Sequence, residues 1–89
     1  MIEIYGIPKE AYHCYGCIGA MKLLDDLGIP YTLKPVFKQV GVDIIPDRDM
    51  IEELAGRLNS KSLRFVYPQI FIDNEHIGGY KELRAIYDY

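Results

Sequence analysis

Eighty-nine residues with no internal repeat read as one domain, residues 1–89, near the small end of what a single hydrophobic core can hold. Apolar residues make up 49% of the chain and include eight tyrosines and three phenylalanines, so a core can form without a disulfide framework or a structural metal. The formal charge is only −3 and the ten lysines and arginines are scattered, which argues against a phosphate-tracking nucleic-acid surface.

The N-terminal "MIEIYGIPKE" lacks the charged-then-apolar pattern of a secretory signal. No apolar run reaches the ~20 residues that cross a bilayer. The expected setting is the cytoplasm, where thiols stay reduced, with no membrane partner.

In chain order, Ile2 and Ile4 alternate with Glu3 before Gly6 and Pro8 break the pattern, which predicts a short first strand. "YGCIGAMKLLDDLG" predicts a helix over about 15–27. Ile18, Met21, Leu24 and Leu27 form its apolar stripe, Gly28 its C-terminal cap, and Pro30 bars continuation. "YTLKPVF" is rich in β-formers and predicts a second strand ending near Pro35. "KQVGVDIIP" carries no clear period and is a connection of unassigned structure.

"DRDMIEELAGRLN" predicts a second helix. Asp49 and Glu52 are placed as a capping box, and Ile51, Leu54, Ala55 and Leu58 as the buried stripe. "QIFI" and "EHI" flank Asp73-Asn74, a pair that tolerates positive φ, and predict a hairpin. Gly78-Gly79 ends it. "YKELRAIYDY" predicts a terminal helix with Leu83, Ile86 and Tyr87 inward. The order β-α-β-α-β-β-α starts with a right-handed parallel crossover and continues as an antiparallel hairpin on the same sheet. That describes a three-layer α/β/α domain on a four-stranded mixed sheet.

Cys14 and Cys17 are the only cysteines, separated by two residues and falling where the first helix begins. A disulfide closing a loop this small constrains the unfolded chain little, so a structural staple is a poor explanation. A structural zinc needs about four Cys or His ligands, and the chain offers this pair with His13 and His76, so no metal site is assigned. A Cys-x-x-Cys pair beside a βαβ pattern reads as a dithiol redox site. Unpaired N–H groups and the helix dipole favour an anionic sulfur at Cys14. In such motifs the thiol pKa falls from ~8.5 toward roughly 3.5–7.5.

Cys14 is therefore expected to be the nucleophile and Cys17, one turn deeper, the resolving thiol. His13 and Lys9 are close enough in sequence to tune Cys14. The alternative is an iron–sulfur or metal carrier in which Cys14 shares a cluster with an added thiol.

Three motifs in order carry a resemblance over essentially the whole chain: "CYGC" after the first strand, "VYPQIFI" before the hairpin and "HIGGY" before the last helix. The chain resembles glutaredoxins, and most of all the short bacteriophage glutaredoxins, also called phage thioredoxins. The resemblance implies the thioredoxin fold, with Pro68 in cis against the active-site disulfide. It implies dithiol–disulfide oxidoreduction by Cys14 and Cys17 with no bound cofactor and glutathione as co-substrate. Glutathione contacts map to His13 and Tyr15, to Val66, Tyr67 and Pro68, and to Gly79, Tyr80 and Lys81.

Three positions depart from the family pattern. Tyr67 replaces a small β-branched residue, Lys81 replaces an acidic one, and Gly16 stands where many members have an aromatic. Glu82 is expected to point away from the site. The implied partners are glutathione or a flavoprotein thiol reductase as electron source and a disulfide-bearing protein client, with ribonucleotide reductase expected from the phage type. The chain is expected to be a monomer.

Overall fold

A computed structural model describes residues 1–89. Its elements are β1 (Ile2–Gly6), α1 (Tyr15–Asp26), β2 (Thr32–Pro35), β3 (Phe37–Val40), β4 (Asp43–Pro46), α2 (Arg48–Arg57), β5 (Gln69–Ile72), β6 (Glu75–Gly78) and α3 (Tyr80–Tyr87). The main sheet has the strand order β2-β1-β5-β6. β1 pairs parallel with β2 and antiparallel with β5, and β5 pairs antiparallel with β6.

Alternation along β1 and β5 divides the core between two faces. Ile2, Ile4 and Ile70 meet Ala20, Leu23 and Leu24 of α1 and Leu83 of α3. Tyr5 and Phe71 turn to the opposite face, against Val36 and Leu54 of α2. The expected three-layer α/β/α fold on a four-stranded mixed sheet is present. No helix is long and apolar enough to cross a membrane.

Local chemistry sets the boundaries. α1 ends in a Schellman motif: Ile29 N–H donates to the Leu24 carbonyl and Gly28 N–H to that of Asp25, with Gly28 at φ +68°. Asn59, at φ +53°, closes α2 in the same way. Asp73 and Asn74 both take positive φ in the β5–β6 turn, as their residue types suggested.

The element order departs from the expected β-α-β-α-β-β-α, and three further expectations need correction. The connection left unassigned is a second, separate sheet between β2 and α2: β3 and β4 form a hairpin turning at Gly41-Val42. The cap of α2 is Asp47, whose Oδ1 accepts the Met50 N–H at 3.2 Å; Asp49 lies inside the first turn. Leu27 is exposed because the buried face of α1 runs through Cys17, Ala20, Leu23 and Leu24, and the chain leaves the core at the cap. Ile86 is 52% exposed: the short α3 meets the core through Leu83 and partly through Tyr80 and Tyr87.

Candidate active site

β1 delivers the chain to the site at Gly6. A Cβ at Gly6 would lie 3.3 Å from the Cys17 sulfur, so the bare backbone is what lets the strand end approach it. The next residue, Ile7, directs its N–H at the same sulfur, 3.4 Å away. A turn closed by Ala11 N–H on the Pro8 carbonyl then carries the chain to Cys14.

Cys14 is the N-cap of α1, in extended conformation at φ −133° and ψ 102°. Its sulfur occupies the acceptor position usually held by a Ser or Asp side chain and takes the Cys17 N–H at 3.2 Å. A sulfur held this way feels both a direct donor and the positive end of the helix, and both favour a thiolate. Cys14 is partly exposed, whereas Cys17 is fully buried. The two are joined as a disulfide, with Cα atoms 5.3 Å apart. Cys14 is open to solvent, while Cys17 lies beneath it.

Two further segments complete the site. The Tyr67–Pro68 peptide bond is cis and Pro68 is buried. The Tyr67 carbonyl oxygen lies 3.8 Å from the Cys14 sulfur. Pro68 lies against α1 where a side chain at residue 16 would be, 2.8 Å from a Cβ built at Gly16. From the last helix, Gly79 comes close to the Pro68 carbonyl, which is 3.3 Å from where its Cβ would be. The Tyr80 ring lies over Gly19 closely enough that a Cβ there would come within 2.7 Å of it.

Cys14, Cys17, Tyr67, Pro68, Gly79 and Tyr80 are thus gathered from three separate segments. His13 and Tyr15 flank Cys14 and pack edge to face on each other, with ring centroids 4.2 Å apart and Tyr15 83% exposed. Val66 is 80% exposed, its carbonyl bonded to the Gln69 side chain. Lys81 is exposed on the first turn of α3. Neither His13 nor Lys9 hydrogen-bonds to Cys14, whose polar neighbours are the Cys17 N–H and the Tyr67 carbonyl.

Glu82 does not point away. Its carboxylate turns back to accept the Gly79 N–H at 2.7 Å and so sits at the glycine corner. The Gly16–Gly19 spacing, two bare positions one turn apart on one helix, was present in the sequence and marked where Pro68 and Tyr80 pack. So was a glutamate three residues after a cap position. Burial raises the Tyr67 phenol pKa, its ring being partly enclosed against the α2-side core.

No family model matches the chain. Over 98% of its length it superposes on glutaredoxin 1 from Francisella tularensis, complexed with cacodylate in that structure, with a TM-score of 0.65, 26% identity and 91% of that chain covered. Glutaredoxin from Brucella melitensis superposes with a TM-score of 0.62, 26% identity and 98% and 77% coverage of the two chains. An uncharacterized 11.8 kDa protein from the Gp55-nrdG intergenic region of Enterobacteria phage T4 is 44% identical over 73 residues, 82% of this chain and 71% of its own. The chain has the glutaredoxin fold and is similar to glutaredoxins over nearly its whole length.

The phage origin of the 44% identical relative fits the short bacteriophage type. Thiol–disulfide exchange is the glutaredoxin activity, and the Cys14–Cys17 pair at the start of α1 is built for it.

Proposed function

We propose that this chain is a cytoplasmic dithiol–disulfide oxidoreductase that passes two electrons from Cys14 and Cys17 to a disulfide in a protein client. The observation that carries this reading is the asymmetry of the pair: Cys14 caps α1 at the surface, and Cys17 is sealed one turn below it. The Cys14 thiolate attacks one sulfur of the client disulfide and expels the other as a thiolate, leaving a mixed disulfide. The Cys17 thiolate then attacks the Cys14 sulfur, closes the Cys14–Cys17 disulfide and releases the second client thiolate. The client gains two electrons and takes its protons from solvent.

Glutathione serves as the returning reductant, two molecules giving one glutathione disulfide per cycle. A flavoprotein thiol reductase is the alternative donor. Ribonucleotide reductase is the client that suits the phage type, and the position of the T4 relative's gene beside nrdG fits deoxynucleotide synthesis. The exposed Tyr15, Val66 and Tyr12 offer aromatic and apolar contact area to such a partner.

Replacement of each cysteine tests the cycle. Cys14→Ser is expected to abolish reduction of both a glutathione mixed disulfide and a protein disulfide. Cys17→Ser is expected to keep the first and lose the second. Normal reduction of protein disulfides by both variants would overturn the dithiol reading. Running each assay with glutathione plus its reductase, and then with a flavoprotein thiol reductase alone, identifies the donor.

A further inference from the structure

Away from the cysteine pair, the main sheet has an open edge beside a cleft. β2 is an outermost strand, paired only with β1. Val36, just past its end, donates its N–H to the Gly6 carbonyl at 3.0 Å. Main-chain groups alternate sides along a strand, so Thr32 and Lys34 also turn theirs toward β1. Leu33 turns its N–H and carbonyl to the open side. Pro35 has no N–H, which leaves Leu33 with the one free amide of β2.

The cleft lies where that edge meets α1. Its volume is about 350 Å³, and its apolar walls are Ile18 and Met21 of α1 with Tyr31 and Leu33 at β2. That is the low end of the ~300–1,000 Å³ found for ligand pockets, room for one or two apolar side chains. Lys22 and Asp26 on its rim are bonded to each other at 3.0 Å. The remaining rim charges are Lys9, Glu10 and Asp25, none of them in an ion pair, so anions outnumber cations by two to one. Asp25 lies close to the Tyr31 phenol, whose pKa is raised by burial and by that carboxylate.

We propose that this cleft docks an extended, basic segment of the protein client. The segment adds a strand to the open edge of β2, seats one apolar side chain in the cleft and sets a lysine or arginine against Glu10 and Asp25. The inference rests on the proposed reduction of protein disulfides. Side chains two apart on a strand share a face, so the recognised pattern is an apolar and a basic residue separated by one. Main-chain pairing supplies the adhesion and the cleft selects the side chain. The cleft is continuous with the reactive end of the molecule: Lys9 and Glu10 lie on the loop from β1 to Cys14, and Ile18 follows Cys17 on α1. A second copy of this chain is the poorer occupant, because Tyr31 and Leu33 on its edge already wall its own cleft.

The test titrates the blocked peptide acetyl-TVTFTRTVT-amide into oxidised, isotope-labelled protein, followed by amide NMR. Saturable shifts are expected at Lys9, Glu10, Met21 and Leu33, at millimolar peptide or below, with slowed hydrogen exchange at the Leu33 amide. Replacing the peptide's phenylalanine by glycine should weaken binding about tenfold or more. Replacing its arginine by glutamate should weaken it about threefold. The double variant Glu10→Lys/Asp25→Lys changes two exposed residues and should reverse the preference for arginine over glutamate. Absence of saturable shifts, shifts confined to other surfaces, or a preference that survives the charge reversal overturns the proposal. A protein that doubles its mass in sedimentation, and loses the dimer when peptide is added, gives the edge to a second copy and also overturns it.

Turnover tells this failure from that of the proposed function. The same peptide, extended by a flexible glycine–serine linker and a Cys-Gly-Ser-Cys disulfide, is compared with a version whose phenylalanine and arginine are glycine. Docking raises the local concentration of the disulfide, so the first should show a KM about threefold or more below the second at equal kcat. The double variant should erase the difference. Equal KM values in wild type overturn the docking role even where the peptide binds. Binding without reduction of either disulfide removes the proposed function, and reduction of both with no binding removes the docking site alone.

Discussion

Glu82 and Lys81 are neighbours on the first turn of α3, yet they do different work. The Glu82 carboxylate accepts the Gly79 N–H at 2.7 Å, satisfying one of the four donors that a helix leaves open at its start. It also places a negative charge at the positive end of the helix. Lys81 is exposed and carries no comparable bond. Glu82→Ala is expected to cost about 1 kcal/mol of stability, Glu82→Gln less because an amide oxygen still accepts the bond, and Lys81→Ala no more than about 0.5 kcal/mol. Urea denaturation midpoints at neutral pH check the order. Equal losses at 81 and 82 would show that helix propensity, not the cap, governs this turn. The capping bond also explains why position 82 was misplaced from spacing alone: helical periodicity gives the face of a residue but not a side chain that turns back along the axis.

Elements whose pattern repeats were legible in the sequence; those held by one capping bond or by thin burial were not. α1, the β5–β6 hairpin and α2 each combine periodic apolar positions with a stop signal, and each appears within a residue or two of its expected bounds. The β3–β4 hairpin was not legible because it turns at Gly41-Val42, without the Asn-Gly or Asp-Gly pair that marks two-residue turns, and none of its residues is fully buried. Val42 is 96% exposed. The hairpin is tied to the body through Tyr12, whose ring meets Phe37 edge to face at 5.1 Å, and through buried Val36, which bonds to Gly6 and Asp47.

The start of α2 shows a similar limit, since Asp47 and Asp49 are equally good cap residues by type. Only the backbone decides: Asp47 is extended, at ψ 94°, and its side chain reaches the Met50 N–H. Asp47→Ala is expected to cost about 1 kcal/mol and Asp49→Ala a few tenths, since Asp49 contributes only its charge near the helix start. Thermal unfolding of the two variants separates the roles. The reverse order would return the cap to Asp49.

At the scale of the whole molecule, the α2 face of the sheet is held by a charged network as well as by its small apolar cluster. Glu3, buried on β1, is gripped by Arg57 through two hydrogen bonds of 3.0 Å and paired with Lys34 at 3.2 Å. Arg57 also donates to the Tyr5 hydroxyl and stacks on Phe71, 3.8 Å from the ring centre. Glu53 joins from α2, accepting from Tyr5 and from Lys34. The Arg57 hydrogen bonds hold the Glu3 pKa below the ordinary carboxylate range against the opposing effect of burial, and the Lys34 ammonium does the same for Glu53.

A carboxylate whose pKa is lowered by folding contributes stability that is present above its unfolded value, ~4.3 for glutamate, and is lost as pH falls toward the folded value. Asp26 is lowered as well, by Tyr89 and Lys22, but it lies at the exposed surface, where such pairs contribute little. Acid sensitivity is therefore expected to reside in the β1–α2 network. Glu3→Gln leaves Arg57 and Lys34 without their shared anion and should cost roughly 2–3 kcal/mol at pH 7. The gap to wild type should close as pH falls through the acid range, because protonation of Glu3 removes the same charge. Asp26→Asn should follow the wild-type curve. Urea unfolding of the three proteins from pH 7 down to pH 3 checks this; a constant gap between wild type and Glu3→Gln would place the acid-sensitive groups elsewhere.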